Sequence, residues 1–290
     1  MPSSEDTYTE APDSVRIILI ILTILSFAPQ LYSLWAKKNS TGISLGYVLA
    51  SLLVVTEDLT KEVYLTLNVP EAAAGIFTHD PLNTGDWLNF VQVLVTWALF
   101  LTLFILCVRL RRQGSDTSPY RNLYILALLI SLVPELIDLL GLTPETKSWP
   151  RQDLREMFIF THAVLLTPMA TFIGGFSWFL QAAQSRSHVH DTALSLTGLA
   201  IQAVVFGLIA ISWVFRVVYA ETWDPLGLGW YFEYGYPVIN NAVFAGVQFL
   251  SLVWALYWRT VGQRPQTKDK AEREREREPL LEAEGNYTTH

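Results

Sequence analysis

The chain reads as an all-α membrane protein whose seven transmembrane helices form two parallel three-helix bundles joined by a linker helix, a 3+1+3 arrangement. Three observations lead there. Of its 290 residues 51% are hydrophobic and only 16% are charged, a composition outside the ordinary soluble range. The apolar residues fall into seven blocks of roughly 20 residues, enough for each to cross ~30 Å of hydrocarbon as a helix rising ~1.5 Å per residue. Finally, the later blocks repeat landmarks of the earlier ones in order and at one spacing: Gln181 and Ser195 stand where Gln30 and Ser44 stand in the first copy.

In chain order, residues 1–14 form an acidic leader carrying Glu5, Asp6, Glu10 and Asp13. It lacks the basic start and small-residue cleavage site of a secretory signal, so the first span is expected to be retained. The spans are Ile17 to Ala36, Ile43 to Thr56 with a charged continuation to Leu67, Trp87 to Val108, Leu123 to Leu142, Met157 to Ala183, Ala193 to Phe215, and Tyr234 to Trp258. Residues 15–109 make the first three-helix repeat, 121–142 the linker helix, 156–258 the second repeat and 259–290 a polar tail. Trp87, Tyr120, Trp223, Trp230, Tyr257 and Trp258 sit at span ends, as an interfacial aromatic belt requires.

Lysine and arginine in the short loops set the expected orientation. One side receives Lys37, Lys38, Arg109, Arg111, Arg112, Arg121, Arg186 and the tail from Arg259, while the other has only Lys147, Arg151 and Arg155. The first side is expected to be cytosolic, which makes the N-terminus lumenal and the C-terminus cytosolic. The sequons at Asn39 and Asn286 then lie in the cytosol and should carry no glycan. The single cysteine, Cys107, lies within a span and offers neither a disulfide framework nor a thiol metal site.

The first hairpin, APQLYSLWAKKNSTGISL, combines Pro29, Gln30, a basic turn, Gly42 and Ser44. It resembles the PQ-loop repeat of small solute carriers. In the second copy Leu194-Ser195-Leu196 matches Ile43-Ser44-Leu45, and Gly198 stands for Gly42 and Gly46, but Leu180 occupies the place of the second proline. The resemblance implies parallel repeats about an axis along the membrane normal, with a solute site between them. Gln30, Gln181, Ser44 and Ser195 would set or couple helix bends at Pro29, Pro168 and Gly174-Gly175. The family includes lysosomal cystine exporters, cationic amino-acid exporters, SWEET sugar carriers and cargo-retrieval receptors, and substrate does not transfer among them. An aspartate seven residues after the repeat serine, tied to proton coupling among the cystine exporters, is replaced here by Ser51 and Gln202.

Four carboxylates lie at membrane depth: Glu57 and Asp58 in the second span, Glu135 and Asp138 in the fourth. An ionised carboxylate there costs at least ~2.5 kcal/mol on insertion scales, so each should face a wet cavity, pair with a cation or hold a proton. Both pairs are expected at one level, in a substrate or proton pathway that also includes the amides Asn240 and Asn241. Glu57 and Asp58 could instead pair locally with Lys61 at helical spacing. Arg216 could meet a carboxylate near the lumenal mouth or snorkel to the interface. His162 reads as a packed or hydrogen-bonded helix residue, and structural bonding between helices is an alternative for the two asparagines.

From Thr267 the tail has balanced charges and few apolar residues, which predicts disorder. Glu276, Leu280 and Leu281 match the acidic dileucine signal that clathrin adaptors recognise for sorting to lysosomes or vacuoles. The expectation is therefore a transporter of a small polar solute, an amino acid above all, across a vacuolar or lysosomal membrane by alternating access, with protons as candidate co-substrate. The rival is a seven-helix receptor or cargo-retrieval protein. No grouping of nucleophile, base or metal ligands suggests an enzyme, a metal or another cofactor, and no basic patch suggests nucleic acid.

Overall fold

A computed structural model describes residues 11–69, 78–79, 81–111, 116–142, 151–188, 192–216 and 230–285, with side chains in the last segment described to Val261. The first ten residues, Arg112, Lys147, Trp223 and the Asn286 sequon therefore lie outside the described residues, as do the side chains of Arg151 and the tail. The chain is helical throughout its long elements. They are α1 (Asp13–Lys37), α2 (Leu45–Val63) running into a π-turn (Tyr64–Asn68), α3 (Thr84–Arg109), α4 (Ser118–Ile130), α5 (Leu132–Leu139), α6 (Arg151–Thr161), a second π-turn (His162–Leu166), α7 (Thr167–Ser187), α8 (Leu196–Val214), a third π-turn (Tyr231–Gly235) and α9 (Tyr236–Gly285).

Six helical stretches are long and apolar enough to cross a membrane: Asp13–Lys37, Thr84–Arg109, Ser118–Leu139, Asp153–Ser187, Leu196–Val214 and Tyr236–Val261. The seventh expected span, α2, carries Glu57, Asp58, Lys61 and Glu62 and is buried along its whole length except at Gly46 and Leu53, which are half-buried. Its neighbours explain that tolerance. Around a ring, α1 packs on α3, α3 on α2, α2 on α7, α7 on α9, α9 on α8, and α8 back on α1, while α4 and α5 cover α2 from outside. The outer surface is apolar, with Ile18 and Leu25 on α1, Leu129 on α4, Phe172 and Phe176 on α7, Val204 on α8 and Phe249 on α9 all exposed. In lipid such faces are satisfied, whereas the charges of α2 require the protein's own shielding.

Two elements differ from the sequence expectation. The fourth span is broken at Ser131, between α4 and α5. The tail expected to be unstructured continues α9 as helix to Gly285. Glu276, Leu280 and Leu281 fall on this extension.

Inside the ring, Phe27, Phe100, Phe206 and Phe244 from α1, α3, α8 and α9 form one aromatic cluster. Phe27 meets Phe100 edge-on at 5.0 Å, and Phe244 lies 5.3 Å from both Phe100 and Phe206. These distances lie within the favoured range for ring pairs. The cluster separates the end of the ring bearing the basic hairpin, called the basic end below, from a polar region toward the far end.

Candidate functional site

At the basic end Gln30 and Gln181 each hold the hairpin that follows the other's helix. Gln30, on α1, donates through Nε2 to Ala193 O at 3.1 Å and accepts from Ser195 N–H at 2.8 Å. Gln181, on α7, donates to Gly42 O at 2.9 Å and accepts from Ser44 N–H at 3.0 Å. Each serine then caps the helix it opens, Ser44 accepting from Tyr47 N–H at 3.3 Å and Ser195 from Gly198 N–H at 3.0 Å, which satisfies an otherwise orphaned helix donor. The hairpins touch closely. Ala193 N–H donates to Thr41 O at 2.7 Å, Lys37 Nζ donates to Thr192 O, and Gly42, at φ +83°, leaves no room for a Cβ beside Thr192.

The expected flexing points have distinct surroundings. Pro29 lies within the unbroken α1, next to Gln30, where its missing N–H leaves one helical carbonyl without its usual donor. Pro168 is the second residue of α7, directly after the π-turn, in which Thr167 N–H bonds to His162 O. A Cβ on Gly174 would come within 2.8 Å of Val54 Cγ2, whereas one on Gly175 would make ordinary contact with Val243 at 3.8 Å. Gly174 is thus a close-approach residue between α7 and α2.

On the far side of the phenylalanine cluster, Val55 and Asp58 of α2, Gln92, Val93 and Thr96 of α3, Ile209 and Trp213 of α8, and Asn241 and Phe244 of α9 line a crevice of about 10 Å³. That is room for about one water. Asp58 accepts from Asn240 Nδ2 at 2.6 Å, and Asn240 Oδ1 in turn accepts from the Thr171 hydroxyl at 2.5 Å, with Tyr231 OH 2.7 Å from the same hydroxyl. Asn241 spends its Nδ2 on Pro237 O at 2.7 Å. Gln92 is 2% exposed, and neither its Nε2 nor its Oε1 has a hydrogen-bond partner.

The other carboxylates do not join this crevice, and the two pairs do not share one level. Glu57, adjacent to Asp58, turns outward to receive Ser131 Oγ at 2.5 Å and to pair with His162 Nδ1 at 2.7 Å. It thereby ties α2 to the break of the fourth span and to the π-turn before α7. Glu135 lies nearer the far end, accepting from Asn68 Nδ2, and Asp138 pairs with Arg155 Nε at 2.6 Å. Lys61 makes no direct contact with Glu57 or Asp58, though it acts on both through space; it donates to Phe232 O at 3.0 Å and lies 3.4 Å from the centre of the Tyr236 ring. Arg216 does not snorkel: it is 4% exposed and donates to Ser212 Oγ and to Asn89 Oδ1, at 2.9 and 3.1 Å.

The structure thus brings Gln30, Gln181, Ser44 and Ser195 into one doubled arrangement, and Asp58, Asn240 and Asn241 into another, leaving Glu57, Glu135 and Asp138 in separate contacts. Sequence reasoning passed over Gln92 and Asn89. Their signal was present, because Asp86, Asn89, Gln92 and Thr96 recur at helical spacing as one polar stripe in an otherwise apolar span, and all four are buried. Among the described residues no group of three His, Cys, Asp or Glu side chains could hold a metal. No protein-family model matches this chain, and no curated protein is significantly similar to it.

Proposed function

We propose that this chain is a carrier of the PQ-loop type that moves a small polar solute of the amino-acid class across a vacuolar or lysosomal membrane by alternating access. The observation that carries the proposal is the reciprocal glutamine clamp. Gln30 grips the hairpin before α8 and Gln181 grips the hairpin before α2, through corresponding atoms at corresponding positions. The ring order supports the same reading, since exchanging α1, α2 and α3 for α7, α8 and α9 turns every neighbouring pair into another neighbouring pair. Two three-helix repeats, α1–α3 and α7–α9 with α6 leading into α7, and α4 and α5 as the linker, have that property.

The solute would occupy the crevice between the repeats, opened alternately to either side by rocking at the two hairpins. Glu57 with His162, and Asp58, are the acidic groups available for proton coupling. The basic end is assigned to the cytosol on its lysines and arginines, and the dileucine residues Glu276, Leu280 and Leu281 fit a vacuolar or lysosomal address.

Purified protein in liposomes, offered radiolabelled amino acids and sugars with neutral or acidic interiors, tests this function. Saturable amino-acid uptake, lost with the Gln30→Ala and Gln181→Ala pair, is the expected result. Binding of a peptide or protein at the far end with no solute flux would replace the carrier by the receptor alternative.

A further inference from the structure

We infer that the crevice recognises its solute through a protonated amine held by Asp58, with Gln92 taking the hydrogen-bonding group beside that amine. The inference rests on the carrier reading for the site's use, but its chemistry comes from the crevice itself. Asp58 is 5% exposed, its bond to Asn240 comes from a neutral amide, and Lys61, the one basic charge that acts on it among the described residues, makes no ion pair with it within 4.0 Å and donates instead to Phe232 O. Gln92 lines the same crevice with both ends of its amide unused.

Each group alone is expensive. A buried polar group without a partner costs roughly 1–3 kcal/mol, and a buried carboxylate without a direct ion pair costs more. Both needs converge on one cavity between α2, α3, α8 and α9, so one ligand can meet them together. That ligand must bring a cation for the carboxylate and a donor or acceptor for the amide. No lysine, arginine or histidine lines the crevice, so an anion finds no counter-charge there and a sugar leaves the carboxylate unpaired. Phe244 supplies an aromatic wall that suits an ammonium group, beside Trp213, whose ring already carries the Arg216 guanidinium 4.9 Å from its centre.

The present crevice holds about one water, so the ring must part for a solute to enter. Asp58 and Asn240 are bonded across that opening, from α2 to α9. An arriving amine would take over the carboxylate from Asn240, coupling recognition to separation of the two helices.

The test measures binding separately from transport. Full-length protein in detergent is titrated with L-serine, L-lysine and ethanolamine, and with N-acetyl-L-serine and glucose as solutes lacking the charged amine, all at constant sodium and pH. Intrinsic tryptophan fluorescence, to which Trp213 contributes, and melting temperature report occupancy. The amine-bearing solutes should bind, and N-acetylation should weaken L-serine by about tenfold or more. Asp58→Asn should weaken the amines to a similar degree, and Gln92→Leu by a smaller factor.

Should Asp58→Asn fail to fold, Thr96→Cys in the otherwise native chain gives a second measurement. Its alkylation should be slowed by L-serine and not by N-acetyl-L-serine. Equal binding or protection by the acetylated compound, by glucose or by sodium alone overturns the inference, as does an Asp58→Asn protein with unchanged amine affinity. Amine binding without flux in liposomes would sink the carrier reading and leave the amine site standing. Flux indifferent to N-acetylation would do the reverse.

Discussion

The two glutamine clamps look alike but should not be worth the same. Gln30→Ala removes two hydrogen bonds, yet Ala193 O also receives the Ser33 hydroxyl at 2.8 Å, so only the Ser195 N–H is orphaned. Gln181→Ala removes both described partners of the opposite hairpin, leaving Gly42 O and Ser44 N–H without them. At about 1–3 kcal/mol for each buried group left unpaired, the first substitution costs that amount once and the second about twice. For a chain of this size about 2 °C of melting temperature accompanies each kcal/mol. Gln30→Ala should therefore melt roughly 2–6 °C below the parent in detergent, and Gln181→Ala about twice as far below. The two glutamines share no partner, but Ala193 N–H joins their hairpins through Thr41 O, so the double variant shows the sum to within about 0.5 kcal/mol only where the hairpins give way independently. Thermal melts of the four proteins, followed by circular dichroism, check this. A Gln30→Ala shift equal to or larger than that of Gln181→Ala would refute the assignment of partners, and strong non-additivity would show that the two hairpins act as one unit.

Two further substitutions probe the packing around α2. Gly174→Ala should destabilise by about 1–3 kcal/mol because Val54 must move, whereas Gly175→Ala should be tolerated, and Val54→Ala should restore the Gly174→Ala protein in the same melting assay. His162→Ala leaves Glu57 buried with Ser131 alone, a loss of about 3–5 kcal/mol if the pair is ionised. Simultaneous Glu57→Gln should recover much of that loss, and a double variant no more stable than His162→Ala would show that the carboxylate carries no charge there.

The sequence carried the apolar helical spans and the equal spacing of Gln30 to Ser44 and Gln181 to Ser195. Block length and composition place six membrane-compatible helices close to where they occur, because hydrocarbon demands a continuous apolar helix wherever the chain meets it. Gln30, Ser44, Gln181 and Ser195 stood out as a set from their equal spacing together with the resemblance of the first hairpin to a PQ-loop. The same reasoning could not tell that each glutamine holds the hairpin that follows the other's helix, since that depends on which helices become neighbours around the ring. Nor could it separate Glu57 from Asp58. Adjacent residues on a helix point about 100° apart, so one carboxylate meets Ser131 and His162 outside the ring while the next faces the crevice within it. Only the packing of α2 among α3, α7, α4 and α5 decided which of them faces the crevice.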